Sequence, residues 1–281
     1  MSIYETTVDD LRTKIGNRVQ VVKDGKALSQ TIASQFCDML EDKQKKNEML
    51  TVILPVGPLD YTFFAKEVNK RQLSLKNLRT INMDEYTDEK GVFISPSHPL
   101  SFKKFIFDNF VNIIPENRRP DIENIIFPDP QHPERITQLI DKIGGADICW
   151  GGFGITGHIA FNDPPSMMGE PDDLESFLAS KTRRINISPA SNAQMLMGAT
   201  LGNDEILPKH AVTIGMYEIL KSKKLHLTFM RSWHRGLWRR AFFGPLTQNF
   251  PGSAAQQHPN LGVIMTKTAS ELPMITVAQS V

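Results

Sequence analysis

The stretch Gly151-Gly152-Phe153-Gly154-Ile155-Thr156-Gly157-His158-Ile159-Ala160-Phe161-Asn162-Asp163-Pro164 sets one histidine in a glycine-rich turn and one carboxylate five residues further on. An imidazole, with an ordinary pKa near ~6.5, moves a proton in either direction near neutral pH. A glycine-rich connection carrying a surface histidine has the same local signature, so the turn does not settle the matter. A second segment, Asn82-Met83-Asp84-Glu85-Tyr86, offers two adjacent acids. Neighbouring side chains cannot both point into a core, and an acid held in a crevice becomes a general base for a carbon-bound proton when burial or a neighbour tunes it. The competing reading is a solvated pair of loop acids.

Both segments follow apolar runs that would position them. Ile148-Cys149-Trp150 reads as a buried strand before the glycine turn, and Leu78-Arg79-Thr80-Ile81 as one before the acid pair, after which the chain opens into a polar loop. Each candidate group therefore falls just past the carboxyl end of a strand, the edge of an open α/β sheet where ligands bind. Strand-like runs at Arg18–Val22, Thr51–Val56, Leu78–Met83, Ile125–Phe127, Ile148–Trp150, Ala211–Ile214, Leu225–Met230 and Val263–Thr266 alternate with helical patterns at Lys26–Lys45, Tyr61–Lys70, Leu100–Val111, Pro133–Ile143 and Ser232–Phe242. That alternation predicts an α/β domain with an open, mostly parallel, Rossmann-like sheet flanked by helices. One domain is expected over 1–281. The polar stretch from about 164 to 208, with its acidic run Glu170-Pro171-Asp172-Asp173, is expected to form a lid over the crevice.

Together these segments resemble the glucosamine-6-phosphate deaminase/isomerase family, in which a strand ending N-M-D-E-Y and a G-H-I-A-F-N-E-P loop build the active site. His98-Pro99 with Ser101-Phe102 is similar to its H-P-x-S element, Leu178-Ala179-Ser180-Lys181-Thr182-Arg183 to its L-A-S-R-T-R, and Leu207 to Met216 to its V-P-x-x-A-L-T-V-G stretch. The likeness keeps its order from about Val19 to about Thr268. It implies that Asp84 shuttles a proton between C1 and C2 of an open-chain sugar and that His158 opens the pyranose ring by protonating the ring oxygen. Asp163 stands where the family has the Glu that relays with this histidine, and Thr156 where relatives carry Asp or Asn. Glu85, Gly154 and Gly157 join the candidate site through the same two motifs.

The phosphate-binding positions of the family depart further. Its T-G-[GS]-T-P turn, which cradles a sugar phosphate at a helix N-terminus, becomes Val56-Gly57-Pro58-Leu59-Asp60. The hydroxyls are gone, Pro58 donates no amide hydrogen, and Asp60 adds negative charge. Two like charges ~4 Å apart at an effective dielectric near ~20 repel by about 4 kcal/mol. Asp60 also suits the start of a helix. The family's lysine position holds His234, beside Arg235, and no Arg or Lys lies between Arg184 and Lys209 to match its arginine. The resemblance thus implies ring-opening and enolisation machinery with an altered distal pocket, on an amino sugar or amino-sugar phosphate and with release of ammonia. A sugar lactonase shares the fold, but its loop runs G-H-T-A-S-L-F-P, and Ile159, Phe161 and Asn162 side with the deaminases. A catalytically weak sugar-binding protein is the third reading.

Composition narrows the partners. A net charge of +1 gives no electrostatic reason to invoke nucleic acid or an anionic membrane, and no apolar run approaches the ~20 residues of a membrane span. Cys37 and Cys149 fall on a helical pattern and a buried strand, which reads as reduced core thiols in a cytoplasmic setting. No His/Cys cluster has zinc spacing, so neither a metal nor another cofactor is expected, and the partner is a small-molecule sugar. The first 17 residues and the tail after Ser270 are the segments available to pack on a second subunit of a homo-oligomer.

Overall fold

A computed structural model describes residues 2–274; the end of the tail, from residue 275, lies outside the described residues. The strands are β1 (Val19–Val22), β2 (Leu50–Leu54), β3 (Leu78–Asn82), β4 (Asp84–Thr87), β5 (Ile125–Ile126), β6 (Ile148–Gly152), β7 (Arg183–Asn186), β8 (His210–Thr213), β9 (Leu225–Phe229) and β10 (Leu261–Thr266). The helices are α1 (Val8–Ile15), α2 (Gly25–Lys45), α3 (Tyr61–Lys70), α4 (Phe102–Asn109), α5 (Glu134–Ile143), α6 (Pro165–Met168), α7 (Leu174–Leu178), α8 (Pro189–Gly198), α9 (Met216–Leu220), α10 (His234–Phe243) and α11 (Lys267–Ser270).

A seven-stranded parallel sheet runs in the order β1-β10-β9-β6-β2-β3-β5. Its central strands are buried throughout, β2, β9 and β10 at every residue, because both faces are covered and a half-polar strand would leave side chains without water. Alternate residues feed opposite cores. On β2, Leu50, Val52 and Leu54 pack with Phe36, Phe64 and Trp150, whereas Ile53 packs with Cys149, Leu225 and Leu227 on the other face. The stripe of α2 formed by Leu28, Ile32, Ala33, Phe36 and Leu40 is fully covered, and Asp24 caps its first turn by accepting from Ala27 N at 2.9 Å.

Strand order reverses at β2. From there β3 and β5 build outward in one direction, while β6, β9 and β10 build in the other, so the crevice between the carboxyl ends of β2 and β6 is the topological switch point where such sheets take ligands. The turn beginning at Val56 and the glycine loop after β6 both open there.

Part of the structure departs from the purely parallel reading. Residues 84–87 are a strand rather than the start of a polar loop, and with β8 and β7 they form a three-stranded antiparallel sheet, order β4-β8-β7. Met83 joins the two sheets. Its N–H bonds Leu54 O in the parallel sheet and its carbonyl accepts from Ile214 N at 2.9 Å. The stretch from 164 to 208 is correspondingly built of elements, namely α6, α7, β7 and α8, and β7 lies at the edge of the smaller sheet. The N-terminal segment packs on its own chain, where the buried Arg239 guanidinium donates to Thr6 O at 2.7 Å and Leu11 is covered completely. Cys37 and Cys149 are both buried and unpaired. Among the described residues no helix is long and apolar enough to cross a membrane.

The corner where the smaller sheet meets the helices turns on one buried carboxylate. Glu218 accepts from Gly215 N at 2.9 Å, Thr182 N at 3.0 Å, Thr182 Oγ1 at 3.1 Å and Thr137 Oγ1 at 2.5 Å. Glu218→Ala strands these donors, and each buried unpaired donor costs ~1–3 kcal/mol. We expect Glu218→Ala to lose several kcal/mol in urea unfolding, with Glu218→Gln losing less because the amide oxygen still accepts two bonds.

Candidate active site

The glycine loop after β6 folds around its histidine. Gly154 N–H donates to His158 O at 3.0 Å, and Gly157 N–H to Gly154 O at 2.9 Å. Gly157 has φ +83°, in the left-handed region, and a methyl there would meet the Phe250 ring at 2.6 Å. At Gly154 a Cβ would sit 1.8 Å from His158 Nε2, so the imidazole occupies the space a side chain would need. The loop then turns at Ala160, whose φ of +56° is unusual for a residue with a side chain. The surroundings hold that strain: Ile159 is fully buried, and Asn162 Nδ2 donates to Ile159 O at 3.0 Å and Ile214 O at 2.9 Å.

His158 is 9% exposed and its Nδ1 lies 2.8 Å from Asp163 Oδ1. The Asp163 side chain has no exposure at all. Four side chains supply it with donors: His158 and Thr156 Oγ1, the latter at 2.5 Å, reach Oδ1, while Ser188 Oγ at 2.8 Å and Ser191 Oγ at 2.6 Å reach Oδ2. Burial alone would raise this carboxyl, but the imidazole charge and the hydrogen bonds outweigh it and hold the group at about 2. An ionised Asp163 only accepts, so the 2.8 Å contact puts the proton on Nδ1. The oxygens of Thr156 and Ser191, at 3.0 and 3.2 Å from Nδ1, have given their hydrogens to Asp163 and present lone pairs to the same N–H. Nε2 is left as the atom that takes or gives a proton.

Asp84 sits just past β3, 7% exposed, in register with Thr213 across the β4–β8 pair. Its Oδ1 accepts from Thr213 Oγ1 at 2.5 Å. Burial drives the carboxyl up to about 7, and the Thr213 hydroxyl and the nearby His158 only partly offset it. A carboxylate poised near neutrality is what a general base needs.

Other candidate residues are employed elsewhere. Glu85 points away from Asp84 and caps α4: its oxygens accept from Phe102 N at 3.0 Å, Lys103 N at 2.7 Å and Ser101 Oγ at 3.0 Å. Asp60 caps α3, taking Thr62 N at 3.0 Å and Thr62 Oγ1 at 2.7 Å. His234 is buried, its Nδ1 accepting from Met230 N at 2.9 Å and Arg231 N at 3.2 Å, and its Nε2 reaching Phe153 O at 3.3 Å. Burial lowers that imidazole to about 4, which keeps it neutral. Arg235 is tied to Thr268 O at 2.8 Å and to Glu271 at 2.5 Å. Of the turn after β2, Val56, Gly57 and Pro58 remain at the switch point, and Pro58 lies so close to Gly152 that a methyl there would meet its ring at 2.8 Å. The sequence reading passed over Thr213, Ser188 and Ser191. A signal for the serines existed: Ser188-Pro189 is a helix-start pair, and Ser188 does cap α8, accepting from Ser191 N at 3.1 Å.

This fold carries sugar-phosphate enzymes of more than one chemistry. A monomeric glucosamine-6-phosphate deaminase superposes with a TM-score of 0.74 at 24% identity, over 90% of this chain and 99% of that one. The 6-phosphogluconolactonase of Trypanosoma cruzi superposes with a TM-score of 0.64 at 13% identity, over 89% and 94%. No family model matches the sequence. Relatives decide between the two. The glucosamine-6-phosphate deaminase of Tolumonas auensis is 30% identical over 233 residues, 79% of each chain, and that of Hahella chejuensis 28% identical over 269 residues, 92% of this chain and 93% of that one. The chain belongs to the glucosamine-6-phosphate deaminase family.

Two outcomes follow from the dyad. Gly154→Ala should cut turnover by at least ~10²-fold, the lower end of what acid–base catalysis supplies, with an unchanged circular dichroism spectrum, because the methyl forces the imidazole off Asp163. Asp163 also sets an acid limit on stability. Its folded carboxyl lies below the ordinary 3.8, so between these values the folded state binds fewer protons than the unfolded chain. Its contribution, about 2 kcal/mol, is full above pH ~4 and is lost as pH falls toward 2. Urea midpoints of wild type and Asp163→Asn should converge over that window.

Proposed function

We propose that this protein opens the ring of a 2-amino-2-deoxy hexose, isomerises the open aldose to the ketose and releases ammonia. The observation that carries the reading is the contrast between two buried carboxyls at the switch point: Asp84, bonded by the Thr213 hydroxyl and pushed up by burial, and Asp163, held ionised behind His158 by four side-chain donors. In this scheme His158 Nε2 gives a proton to the ring oxygen as the C1–O5 bond breaks, the O1 hydroxyl proton passes back to Nε2, and Nδ1–H stays on Asp163 throughout. Asp84 then takes the C2 proton while Nε2 protonates O1, giving the 1,2-enolamine, and returns the proton to C1. Water adds to the C2 iminium so formed and the C2–N bond breaks, leaving the ketose and ammonia. A lactonase needs no base at C2, and the relatives' name, glucosamine-6-phosphate deaminase, favours the same chemistry for this chain. The segment 164–208 is proposed to cover the bound sugar, since its helix α8 supplies two of the four donors to Asp163.

The distal end of the sugar is proposed to differ from the relatives' phosphate or to be held in another way. Asp60, His234 and Arg235 each make hydrogen bonds within the fold, Asp60 through Oδ1 and Arg235 through Nε and Nη2. Losing even two charge-assisted hydrogen bonds at ~1.5–3 kcal/mol each weakens binding by about two to four orders of magnitude. Steady-state kinetics on glucosamine 6-phosphate and on unphosphorylated amino sugars test this directly. We expect weak turnover of the former, and an efficiency of ~10⁴ M⁻¹s⁻¹ or more on it would overturn the distal assignment while leaving the reaction intact. For the base, Asp84→Asn should lose ~10²-fold or more in turnover and all solvent-hydrogen exchange at C2; retained exchange would remove Asp84 from its role. Wild-type kcat/KM should fall as pH drops below about 7, where Asp84 becomes protonated.

A further inference from the structure

Thr213 is fully buried and stands where the two halves of the proposed chemistry meet. Its Oγ1 accepts from Phe161 N–H at 3.1 Å, in the loop that carries His158, and lies 2.5 Å from Asp84 Oδ1 and 3.3 Å from Ile214 O. A hydroxyl has one hydrogen to give. The shorter contact is to an acceptor that carries charge when ionised, and such bonds are roughly twice as strong as neutral ones, so the hydrogen goes to Asp84. Oδ1 is then occupied, and the Phe161 amide lies close enough to the same carboxylate to favour its ionised form as well. The acid's other charged or titratable neighbours are His158, on the loop after β6, and Glu85 and Tyr86, on its own strand. Glu85 is turned toward α4 and Tyr86 is buried against Phe102 and Phe161, so neither offers Asp84 a hydrogen bond.

We propose that Thr213 is a positioning residue for the base: it fixes the Asp84 carboxylate through Oδ1 and couples Asp84 to the His158 loop through the Phe161 amide. The inference deepens the deaminase/isomerase reading and rests on it for the identity of the proton moved. Withdrawing the hydroxyl removes a bond that favours the ionised form, so the base should protonate at higher pH. Asp84 is then protonated, and inactive, over a wider range on the acid side.

The test is the acidic limb of the kcat/KM profile for T213V and T213S. T213V keeps the shape without the hydroxyl and is expected to move the limb up by about one pH unit, the size of a single hydrogen bond of ~1.4 kcal/mol, with a fall in kcat as well. T213S keeps the hydroxyl and should restore both. An unmoved limb in T213V, or a limb displaced equally in T213S, overturns the proposal, since a residue that merely fills space would change the rate without changing the titration. If T213V does not fold, T213A removes the hydroxyl by leaving a cavity and is read in the same way. A second measurement separates this proposal from the reaction: carbonyl-13C NMR of labelled aspartates, with the Asp84 signal assigned by its loss in D84N. An upward shift of that titration in T213V supports the role of Thr213 even if wild type turns over no amino sugar, a result that would sink the proposed function alone. An unshifted signal sinks the role of Thr213 whatever the activity.

Discussion

An ionised carboxylate with no exposure to water is the constraint around which the crevice is built. Removing a charge from water costs several kcal/mol unless partners replace the lost solvation, and Asp163 finds four of them on two separate stretches of chain. Thr156 and His158 come from the glycine loop itself, Ser188 from the cap of α8 and Ser191 from its first turn. Satisfying the charge therefore fixes the loop's path, the docking of α8 and the orientation of the imidazole together. The shorter acid found here fits this arrangement. With Asp in place of the family's Glu the contact to Nδ1 is still 2.8 Å, and the serines of α8 close on the oxygen that faces away from it. Gln194 of the same helix adds a further tie, accepting from Ile155 N at 2.7 Å.

Asp84 is treated in the opposite way. It is buried almost as deeply, yet it receives one hydrogen bond from a hydroxyl, and desolvation wins. Environments that push two like groups apart let one site hold a permanent charge and a proton acceptor at the same pH. The separation originates in topology. Asp163 lies in a loop with a helix start aimed at it, whereas Asp84 lies on a strand of the small antiparallel sheet, whose backbone donors are committed to the β4–β8 ladder.

Local pattern carried most of the large sheet and little of the small one. β2, β6 and β10 are mainly apolar runs, β9 sets Leu225, Leu227 and Phe229 between His226 and Thr228, α2 shows its stripe, and α3 runs over the predicted residues with its predicted Asp60 cap. Strands β4 and β7 gave no such signal. Each pairs along its length with β8, whose residues lie far along the chain from Asp84, and β4 buries Asp84, Glu85, Tyr86 and Thr87 on both faces, so no polar–apolar alternation appears. Both acids of the N-M-D-E-Y segment are buried, which no period of hydrophobicity reveals because a capping role and a proton-transfer role look alike in sequence. His234, a candidate because it stands at the family's lysine position, closes the turn into α10 by accepting two backbone amides, a local role that an aligned position does not show. The dyad itself was legible, since its two members lie five residues apart in one loop; the residues that support them come from α8 and β8.

The helix that follows β2 makes the altered distal pocket a matter of electrostatics as well as of missing side chains. The N-terminus of a helix offers an anion free amides and a favourable dipole, and at α3 that place is already taken. Asp60 accepts from Thr62 N and brings its own negative charge. A sugar phosphate arriving there would have to displace a carboxylate bonded to its own chain or sit beside it at a cost set by their repulsion. Nearby, Tyr61 donates its hydroxyl to Pro55 O, and Pro58 rests on Gly152. These contacts press the turn against the loop that carries His158. The turn thus gives α3 a braced start, and the bracing reaches the loop that carries His158 through Gly152, where β6 ends.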